Sequence, residues 1–332
     1  MGAAFMDLSQ LENHTRVLFE EWRDKPLTFS LIEKGGSGRF FVRVAAPESG
    51  ESVIAMLYTE ERSDNSRFAS ITDFLNTMEV PAPEILQRRE DLGMLWVEDL
   101  GEVDLKDLCE ADWETIRKPA CQAALRAVAR LHAIGEAQPP ASLPDLERPF
   151  DEALYRWEQD YFTNQFVERF ISPTASRELQ GSSQLEALAA SLSELPRSLL
   201  HRDFQSTNVM VVDQDVFLID YQGLRWGIPE YDIASMIYDP YVEFSSDERE
   251  ALIAYYFDLK KESGDTISEA AFRRRLNQCA SQRLMQALGA YGYLSEVKGK
   301  PEFLEFIQPA TARLLEIADE EGGLPELKNV LA

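Results

Sequence analysis

Apolar residues in the first hundred positions gather mainly in short runs of strand length, and one of these runs, Arg39–Ala45, alternates partly with polar residues. The strand-like runs are Leu27–Ile32, Arg39–Ala45, Glu51–Tyr58, Ile85–Arg88 and Gly93–Glu98. Two other segments have apolar residues three and four positions apart, which predicts an N-terminal helix over 7–23 and a second helix over Asn65–Glu79. The pattern therefore predicts a mostly antiparallel sheet with one inserted helix.

Beyond residue 100 the spacing is mainly helical. Three helices are predicted, over Ala120–Ile134, Asp151–Phe170 and Ser182–Leu195. From Tyr231 onward the pattern is again mainly helical. One hairpin interrupts them, with strands Val209–Val212 and Val216–Ile219. The change of pattern predicts an α+β fold of two lobes, a small sheet lobe over 1–100 and a larger, mostly helical lobe over 101–332.

Charge narrows the function classes. The 332 residues carry a formal charge of -25 at pH 7, so the surface repels phosphate backbones and anionic membranes. Neither nucleic acid nor a membrane is therefore an expected partner. A nucleotide remains possible, because a few cations and Mg²⁺ can reverse the sign of charge inside one cleft.

Cysteine usage and the N-terminus bear on the compartment. The three cysteines form no C-x-x-C pair, which favours reduced structural thiols. No basic stretch precedes a long apolar run at the start, and no run approaches membrane-spanning length. We therefore expect a cytoplasmic protein. The sequence leaves its oligomeric state open.

The segment LLHRDFQSTNVMVVDQDVFLID holds the candidate chemistry. Asp203 and Asn208 are five residues apart on a loop that enters a strand, and the following hairpin returns the chain to Asp220. Three oxygen-bearing side chains are thus expected at one end of a hairpin. Phosphoryl transfer needs such a set, since Mg²⁺ takes one or two protein oxygens and a further carboxylate accepts the proton of the attacking hydroxyl. The alternative is that these side chains only cap the loop and the turn.

The same segment resembles the aminoglycoside phosphotransferase family, whose members have a protein-kinase-like fold. The resemblance implies that ATP and Mg²⁺ bind between the lobes. It also implies that Asp203 is the catalytic base, that Asn208 and Asp220 bind Mg²⁺, that His201 supports the loop, and that Asp232 braces it.

The chain is also similar to a narrower branch of that family, the bacterial anomeric sugar kinases. The similarity lies in the order of five segments: GGSGRFFVRV, ESVIAMLY, PAPEIL, LWVEDLG and LLHRDFQSTNVMVV. That branch phosphorylates N-acetylmuramate and N-acetylglucosamine at C1 for cell-wall recycling. The resemblance implies a small-molecule acceptor, an amino sugar. Two alternatives stay open: an aminoglycoside or choline-like alcohol as acceptor, or a nucleotide-binding pseudokinase that acts through partners.

The nucleotide half departs from the usual kinase pattern. Met56 stands where many kinases have a lysine on the third strand, and such a loss is typical of a pseudokinase. The resemblance to the sugar-kinase branch implies methionine at this position, and the predicted base and metal ligands are intact, so an active kinase is the favoured interpretation. Arg39 either supplies the missing cation or is a solvated hairpin charge. Family position implies that the linker residues Glu98 and Leu100 contact adenine. The predicted phosphate-covering turn consists of Gly35, Gly36, Ser37 and Gly38, although these glycines alone would also suit a tight turn.

The acceptor site has weaker signals. The polar residues that either line it or have solvated or structural roles are Arg225, Asp239 and Glu243. His132 lies on an apolar helix face and is interpreted as a packed core residue. Helix packing is the favoured interpretation, and a sugar platform the alternative, for Trp157, Tyr161 and Phe162.

Overall fold

The N-terminal lobe is a five-stranded antiparallel sheet in the order β1-β2-β3-β5-β4. The computed structural model describes residues 8–32, 39–59 and 63–331. The five strands of the sheet are β1 (Thr28–Ile32), β2 (Arg39–Ala46), β3 (Glu51–Tyr58), β4 (Ile85–Arg89) and β5 (Met94–Glu98). Their bounds agree closely with the strand-like runs of the sequence, so the predicted antiparallel sheet is confirmed.

Helices dominate the remainder of the chain. The helices are α1 (Leu8–Leu18), α2 (Ser63–Thr77), α3 (Lys118–His132), α4 (Glu152–Phe162), α5 (Pro173–Gln180), α6 (Ser183–Ser193), α7 (Pro229–Ile237), α8 (Ser246–Glu262), α9 (Glu269–Glu296), α10 (Ile307–Ile317) and α11 (Glu326–Leu331). Two small antiparallel pairs lie among them: β6 (Ser198–Leu200) with β9 (Arg225–Gly227), and β7 (Val209–Val212) with β8 (Asp215–Leu218). This is the expected two-lobe α+β architecture. The division of the chain at residue 100 stays a prediction.

The two faces of the sheet bury different sets of side chains. Alternate residues of β2 and β3, including Val44 and Ala55, pack with Leu11 of α1 and with Trp22. The opposite face, which includes Met56, joins the large core that continues through α2 into the helical lobe. The period of two along each strand therefore separates a small outer core from the core shared by both lobes.

Side chains of α2 join the sheet lobe to the helical lobe. Phe68 stacks on the Tyr221 ring, with centroids 5.2 Å apart. Thr72 Oγ1 lies 2.7 Å from the Tyr221 hydroxyl, and both side chains are buried. Tyr221 directly follows Asp220, so the inserted helix packs against the turn that carries a predicted site residue.

Several predicted element bounds are wrong. The N-terminal helix ends at Leu18, because Phe19 has a non-helical backbone, and a single 3₁₀ turn follows. The helix expected over 151–170 continues beyond Phe162 only as wider turns up to Ile171. Sequence periodicity also missed α5, β6 and β9, which are eight, three and three residues long and too short to show a clear period.

Helix α9 approaches its neighbours through two glycines. A Cβ on Gly289 would lie 2.9 Å from the Tyr161 ring, and one on Gly292 only 2.1 Å from the backbone oxygen of Gln165. Only glycine fits these positions. This close approach fixes α9 against the end of α4 and the chain that follows it, and α9 carries polar residues of the site described below. Among the described residues, no helix is both long and apolar enough to span a membrane.

The contact between α1 and the sheet provides a test of the outer core. Thr15 Oγ1 accepts a hydrogen bond from buried Trp96 Nε1 at 2.9 Å and donates one to Leu11 O. We expect Thr15→Val to lower the free energy of unfolding by about 1–3 kcal/mol, because the indole N–H stays buried without a partner. Denaturant unfolding measures this loss.

Thr77→Val is the matched control. Thr77 makes the same bond to the backbone oxygen four residues earlier, but it is exposed. Its substitution should change the free energy of unfolding by less than about 0.5 kcal/mol. Equal effects of the two substitutions would show that the Trp96 hydrogen bond contributes nothing.

Candidate active site

The loop that carries Asp203 is held by one carboxylate beneath it. Asp232, in α7, accepts the backbone N–H of His201 at 2.7 Å and that of Arg202 at 2.8 Å. Arg202 has φ of 80°, a left-handed conformation that costs a non-glycine residue roughly 1–3 kcal/mol. The two bonds to Asp232 hold the backbone in this conformation, so the direction of the Asp203 side chain depends on Asp232.

The support for this loop extends to two further helices. His132, in α3, is buried as predicted, but it also has polar contacts. Its Nε2 lies 3.0 Å from Asp232 Oδ2, and its Nδ1 lies 2.7 Å from the Tyr256 hydroxyl in α8. Because a carboxylate only accepts, Nε2 carries the proton and Nδ1 accepts from the tyrosine. His132 therefore orients Asp232 in addition to packing in the core.

A second buried acid holds the other end of the loop. Asp239 accepts the backbone N–H of Ser206 at 2.7 Å and that of Tyr241 at 2.9 Å. Burial raises the pKa of the Asp239 carboxyl, although these hydrogen bonds act in the opposite direction. Of the two roles considered for Asp239, these contacts favour the structural one. Glu243, considered alongside it, is exposed, and its backbone oxygen accepts a bond from Arg117.

The structure brings Asp203, Asn208 and Asp220 to one end of the β7–β8 hairpin, as predicted. Asn208 Nδ2 donates to the Asp203 backbone oxygen at 2.9 Å. Ile219 N donates to the Asn208 backbone oxygen at 3.0 Å, so Asp220 directly follows the last bond between the two chain segments. His201 Nε2 lies 3.0 Å from the Ile219 oxygen and ties the loop to the same turn.

Two arginines flank the Asp203 carboxylate. Arg202 Nη1 lies 2.5 Å from Oδ2, and Arg283 Nη2, from α9, lies 3.9 Å from Oδ1. Burial disfavours the charged carboxylate, but the positive charges of Arg202 and Arg283 outweigh this, so the pKa of Asp203 is lowered. The side chain is 25% exposed and can be reached from the cleft.

Asp220 is in contact with a cation from the other lobe. Arg39 Nη2, at the start of β2, lies 3.3 Å from Asp220 Oδ1, and Gln222 Nε2 donates to the same oxygen at 2.7 Å. The Arg39 side chain is 4% exposed and that of Asp220 is 46% exposed. Arg39 is therefore not a solvated hairpin charge. The predicted glycine turn that precedes it, 35–38, lies outside the described residues.

Met56 provides no charge to the cleft. It is fully buried in β3, opposite Phe41 of β2 and Leu95 of β5, on the face shared by both lobes. The methionine packs there, so any cation that contacts phosphate comes from another element.

The linker between the lobes is bound by a residue that sequence reasoning missed. Arg43, in β2, donates to both carboxylate oxygens of Asp99, at 2.7 and 3.1 Å, and to the Gly101 backbone oxygen at 2.8 Å. The predicted adenine contacts lie on either side of Asp99: Glu98 is half-buried at the end of β5, and Leu100 is buried. The linker is thus held to the sheet lobe.

Helix α9 contributes polar groups near Asp203 that were also missed. Arg283 Nη2 donates to Gln205 Oε1 at 3.1 Å, and Arg283 Nε donates to Ser235 Oγ at 3.1 Å. Glu158, buried in α4, accepts the Tyr231 hydroxyl at 3.0 Å. The sequence signal was weak: Gln282, Arg283 and Gln286 lie beside the apolar run Leu284, Met285, Ala287 and Leu288, and buried polar residues need partners.

The aromatic residues of α4 differ in their exposure to solvent. Phe162 is fully buried, as helix packing predicts. Trp157 is 55% exposed and stacks on Tyr161, with ring centroids 5.3 Å apart and an interplanar angle of 10°. Tyr161 is half-buried, so the exposed indole of Trp157 is the open aromatic face of this pair, and the alternative of a sugar platform remains.

This arrangement is that of a protein-kinase-like phosphotransferase. A small antiparallel sheet is joined by a linker to a helical lobe, which carries an Asp-x-x-x-x-Asn loop and a second aspartate after the following hairpin. Residues 28–267 match the phosphotransferase enzyme family, and the chain belongs to that family. It is an enzyme that phosphorylates a small molecule.

Known proteins agree with this assignment. The chain is 25% identical to the N-acetylmuramate/N-acetylglucosamine kinase of Neisseria meningitidis serogroup B, over 96% of this chain and 95% of that protein. The kinase of the same name from Pseudomonas putida is 24% identical over 86% of this chain and 82% of its own. The structure of choline kinase from Cryptosporidium parvum has a TM-score of 0.63 at 14% identity, over 98% and 99% of the two chains, which shows the shared fold.

The two arginines around Asp203 generate a prediction about pH. The sequence predicts Asp203 as the general base, and in that role it must be ionised, so activity is expected to fall at the acid side as the carboxylate is protonated. Removing the charge in Arg283→Gln raises the pKa of Asp203, and the acid limb of the kcat/KM profile should move to higher pH. The profile is measured with the preferred acceptor in both proteins.

Arg274→Gln controls for the change in net charge, because Arg274 pairs with exposed Glu321 at the surface. Its acid limb should coincide with that of the unmodified enzyme. A limb that stays in place, or moves to lower pH, in Arg283→Gln would rule out the electrostatic role assigned to Arg283.

Proposed function

We propose that this protein is an ATP- and Mg²⁺-dependent kinase that phosphorylates the anomeric hydroxyl of an N-acetylated amino sugar. One observation carries the choice of acceptor: the relative from Neisseria, named N-acetylmuramate/N-acetylglucosamine kinase, matches 96% of this chain. That match includes both the loop around Asp203 and helix α9, so it covers the parts of the helical lobe that would contact an acceptor.

Asp203 is the proposed base. Its carboxylate is reachable from the cleft and has a lowered pKa, so it is ionised at neutral pH and ready to accept a proton. It orients the acceptor hydroxyl and takes its proton while the oxygen attacks the terminal phosphate of ATP. Bonds to Asp232 and Asp239 hold the loop, so the base is positioned before substrate binds.

Asn208 and Asp220 fit a magnesium ion. The amide of Asn208 uses its nitrogen in the bond to the Asp203 backbone, which leaves its oxygen as the ligand atom. The bonds from Arg39 and Gln222 both fall on Oδ1 of the half-exposed Asp220 carboxylate. When bound, Mg²⁺ neutralises phosphate charge. Among the described residues, no group of three His, Cys, Asp or Glu could hold a metal alone, and Mg²⁺ bound with ATP commonly takes only one or two protein ligands.

Arg39 is the proposed cation for the phosphates in place of the strand lysine. It is buried at the opening of β2 and reaches Asp220 across the cleft, which supports a position beside the metal and phosphates. A guanidinium offers paired N–H donors that match phosphate oxygens. This contact also argues against the pseudokinase alternative, since a cation remains in the cleft although Met56 is apolar.

Turnover tests the function and the base together. ATP consumption is measured against N-acetylmuramate, N-acetylglucosamine, an aminoglycoside and choline, and turnover is expected only with the amino sugars. Asp203→Asn should lower kcat with the preferred sugar roughly 10²–10⁴-fold, because the amide cannot take the proton.

Asp215→Asn is the control, because Asp215 is exposed at the turn between β7 and β8, at the opposite end of the hairpin from Asp203. It should retain full turnover. Full activity in Asp203→Asn would eliminate Asp203 as the base. Thermal stabilisation by ATP and Mg²⁺ without turnover of any acceptor would favour the pseudokinase alternative instead.

The proposed role of Arg39 predicts an effect on ATP. Arg39→Gln should raise the KM for ATP about tenfold or lower kcat by a similar factor, while Arg39→Lys, which keeps the charge, should lose less. Arg88→Gln controls for charge on the sheet lobe, since Arg88 pairs with Asp73 at the surface. If Arg39→Gln and Arg88→Gln have the same kinetic constants for ATP, Arg39 does not bind phosphate.

A further inference from the structure

Three arginines lie around Asp203, at what we call the acceptor side because the proposed function places the acceptor hydroxyl beside this carboxylate. Arg202 and Arg283 contact its carboxylate directly. Arg225, the third, lies in β9, where its Cα is paired with that of Leu200 in β6. Leu200 is two residues before Arg202, so the short sheet brings Arg225 to the same end of the loop.

Two of these arginines are already engaged. Arg202 pairs with Asp203, and the Arg283 guanidinium donates to Ser235, Gln205 and Gln286. Their contacts hold the base and the loop in place. Neither side chain could turn toward a ligand without giving up those contacts.

Arg225 differs from both. Its Nε donates to the Gly223 backbone oxygen at 3.1 Å, and its guanidinium lies 5.3 Å from the centre of the Phe150 ring. These contacts fix its direction but use one of its five N–H groups. Among the side chains that the structure describes, no carboxylate forms an ion pair with Arg225.

Arg225 is also close to Arg202. A Cβ on Gly223, which accepts the Arg225 bond, would lie 3.9 Å from Arg202 Cδ. Burial lowers the pKa of Arg225, and the positive charge of Arg202 lowers it further. An arginine remains protonated under such conditions, so two guanidiniums stand together with only one of them neutralised.

The balance of charge at this side is positive. Three carboxylates act on Arg225, those of Asp203, Glu158 and Glu147, and burial raises the pKa of Glu158. Glu147 is paired with Arg67, so four guanidiniums face these three carboxylates. The acceptor side is thus cationic in a chain of charge -25. A polycationic acceptor would be repelled here, whereas an acceptor with a carboxylate would provide the missing partner.

We propose that Arg225 binds a carboxylate of the acceptor, so that the enzyme prefers an acidic amino sugar to its neutral counterpart. This inference rests on the proposed function. N-acetylmuramate differs from N-acetylglucosamine by a lactyl ether that carries a carboxylate, so this pair of sugars isolates the interaction. Arg225 is a specificity-determining residue, and the transferred phosphate does not depend on it.

The experiment compares kcat/KM for the two sugars in the unmodified enzyme, Arg225→Gln and Arg225→Lys. The unmodified enzyme should favour N-acetylmuramate. Arg225→Gln should lower kcat/KM for N-acetylmuramate about 10- to 100-fold and that for N-acetylglucosamine by less than about threefold, because a charge-assisted bond is lost only with the acid. Arg225→Lys should recover part of the preference.

Arg148→Gln is the matched control. Arg148 precedes α4 close to Phe150, is 57% exposed and pairs with Asp151. The ratio of kcat/KM for N-acetylmuramate to kcat/KM for N-acetylglucosamine should be the same in this variant as in the unmodified enzyme. A thermal unfolding midpoint for each variant separates specificity from folding, and the ratio of the two sugars within one variant is insensitive to the fraction of folded protein.

The outcomes distinguish the inference from the function it rests on. Turnover of neither sugar by the unmodified enzyme overturns the proposed function. Turnover of both sugars, with equal losses or no losses in Arg225→Gln, leaves the function standing and overturns the role of Arg225. A preference of the unmodified enzyme for N-acetylglucosamine likewise contradicts the inference.

Discussion

The geometry of this site depends on the carboxylate of Asp232. It accepts the backbone N–H groups of His201 and Arg202, and it thereby holds Arg202 in a left-handed conformation that points Asp203 into the cleft. Without that acceptor, two buried backbone donors would lack partners and the turn would relax. His132 and Tyr256 extend the support into α3 and α8, so the position of the base is fixed by the packing of three helices.

The distribution of cations distinguishes this cleft from the usual kinase arrangement. The third strand contributes only an apolar methionine, while Arg39 enters from β2 and three arginines surround Asp203. In a strongly acidic chain such clusters reverse the local sign of charge where phosphate and acceptor are proposed to bind. A cleft of this kind would attract anionic ligands from close range while the outer surface repels them.

The sequence allowed the sheet and the convergence of Asp203, Asn208 and Asp220 to be predicted, because two short apolar strands joined by a tight polar turn fix which ends of a hairpin meet. It did not reveal Arg43 or Arg283. Arg43 is one charged residue in an alternating strand, and Arg283 is far from the loop in sequence, so only tertiary packing brings each to its partner. The short pair β6–β9 was missed for a related reason, since three residues are too few to show a period.

The bonds from Arg43 to the linker have a mechanical consequence. Asp99 and Gly101 are joined to β2 by charge-assisted hydrogen bonds, and Glu102 also pairs with Arg43. The first residues after β5 therefore move as part of the sheet. Just beyond Glu102, Val103 O accepts the backbone N–H of Val211, and Leu105 N donates to the Val209 backbone oxygen, which joins the chain to β7 of the helical lobe. If the lobes separate to release product, the pivot therefore lies between Glu102 and Val103. The nucleotide would then travel with the sheet lobe, and the acceptor would remain on the helical lobe.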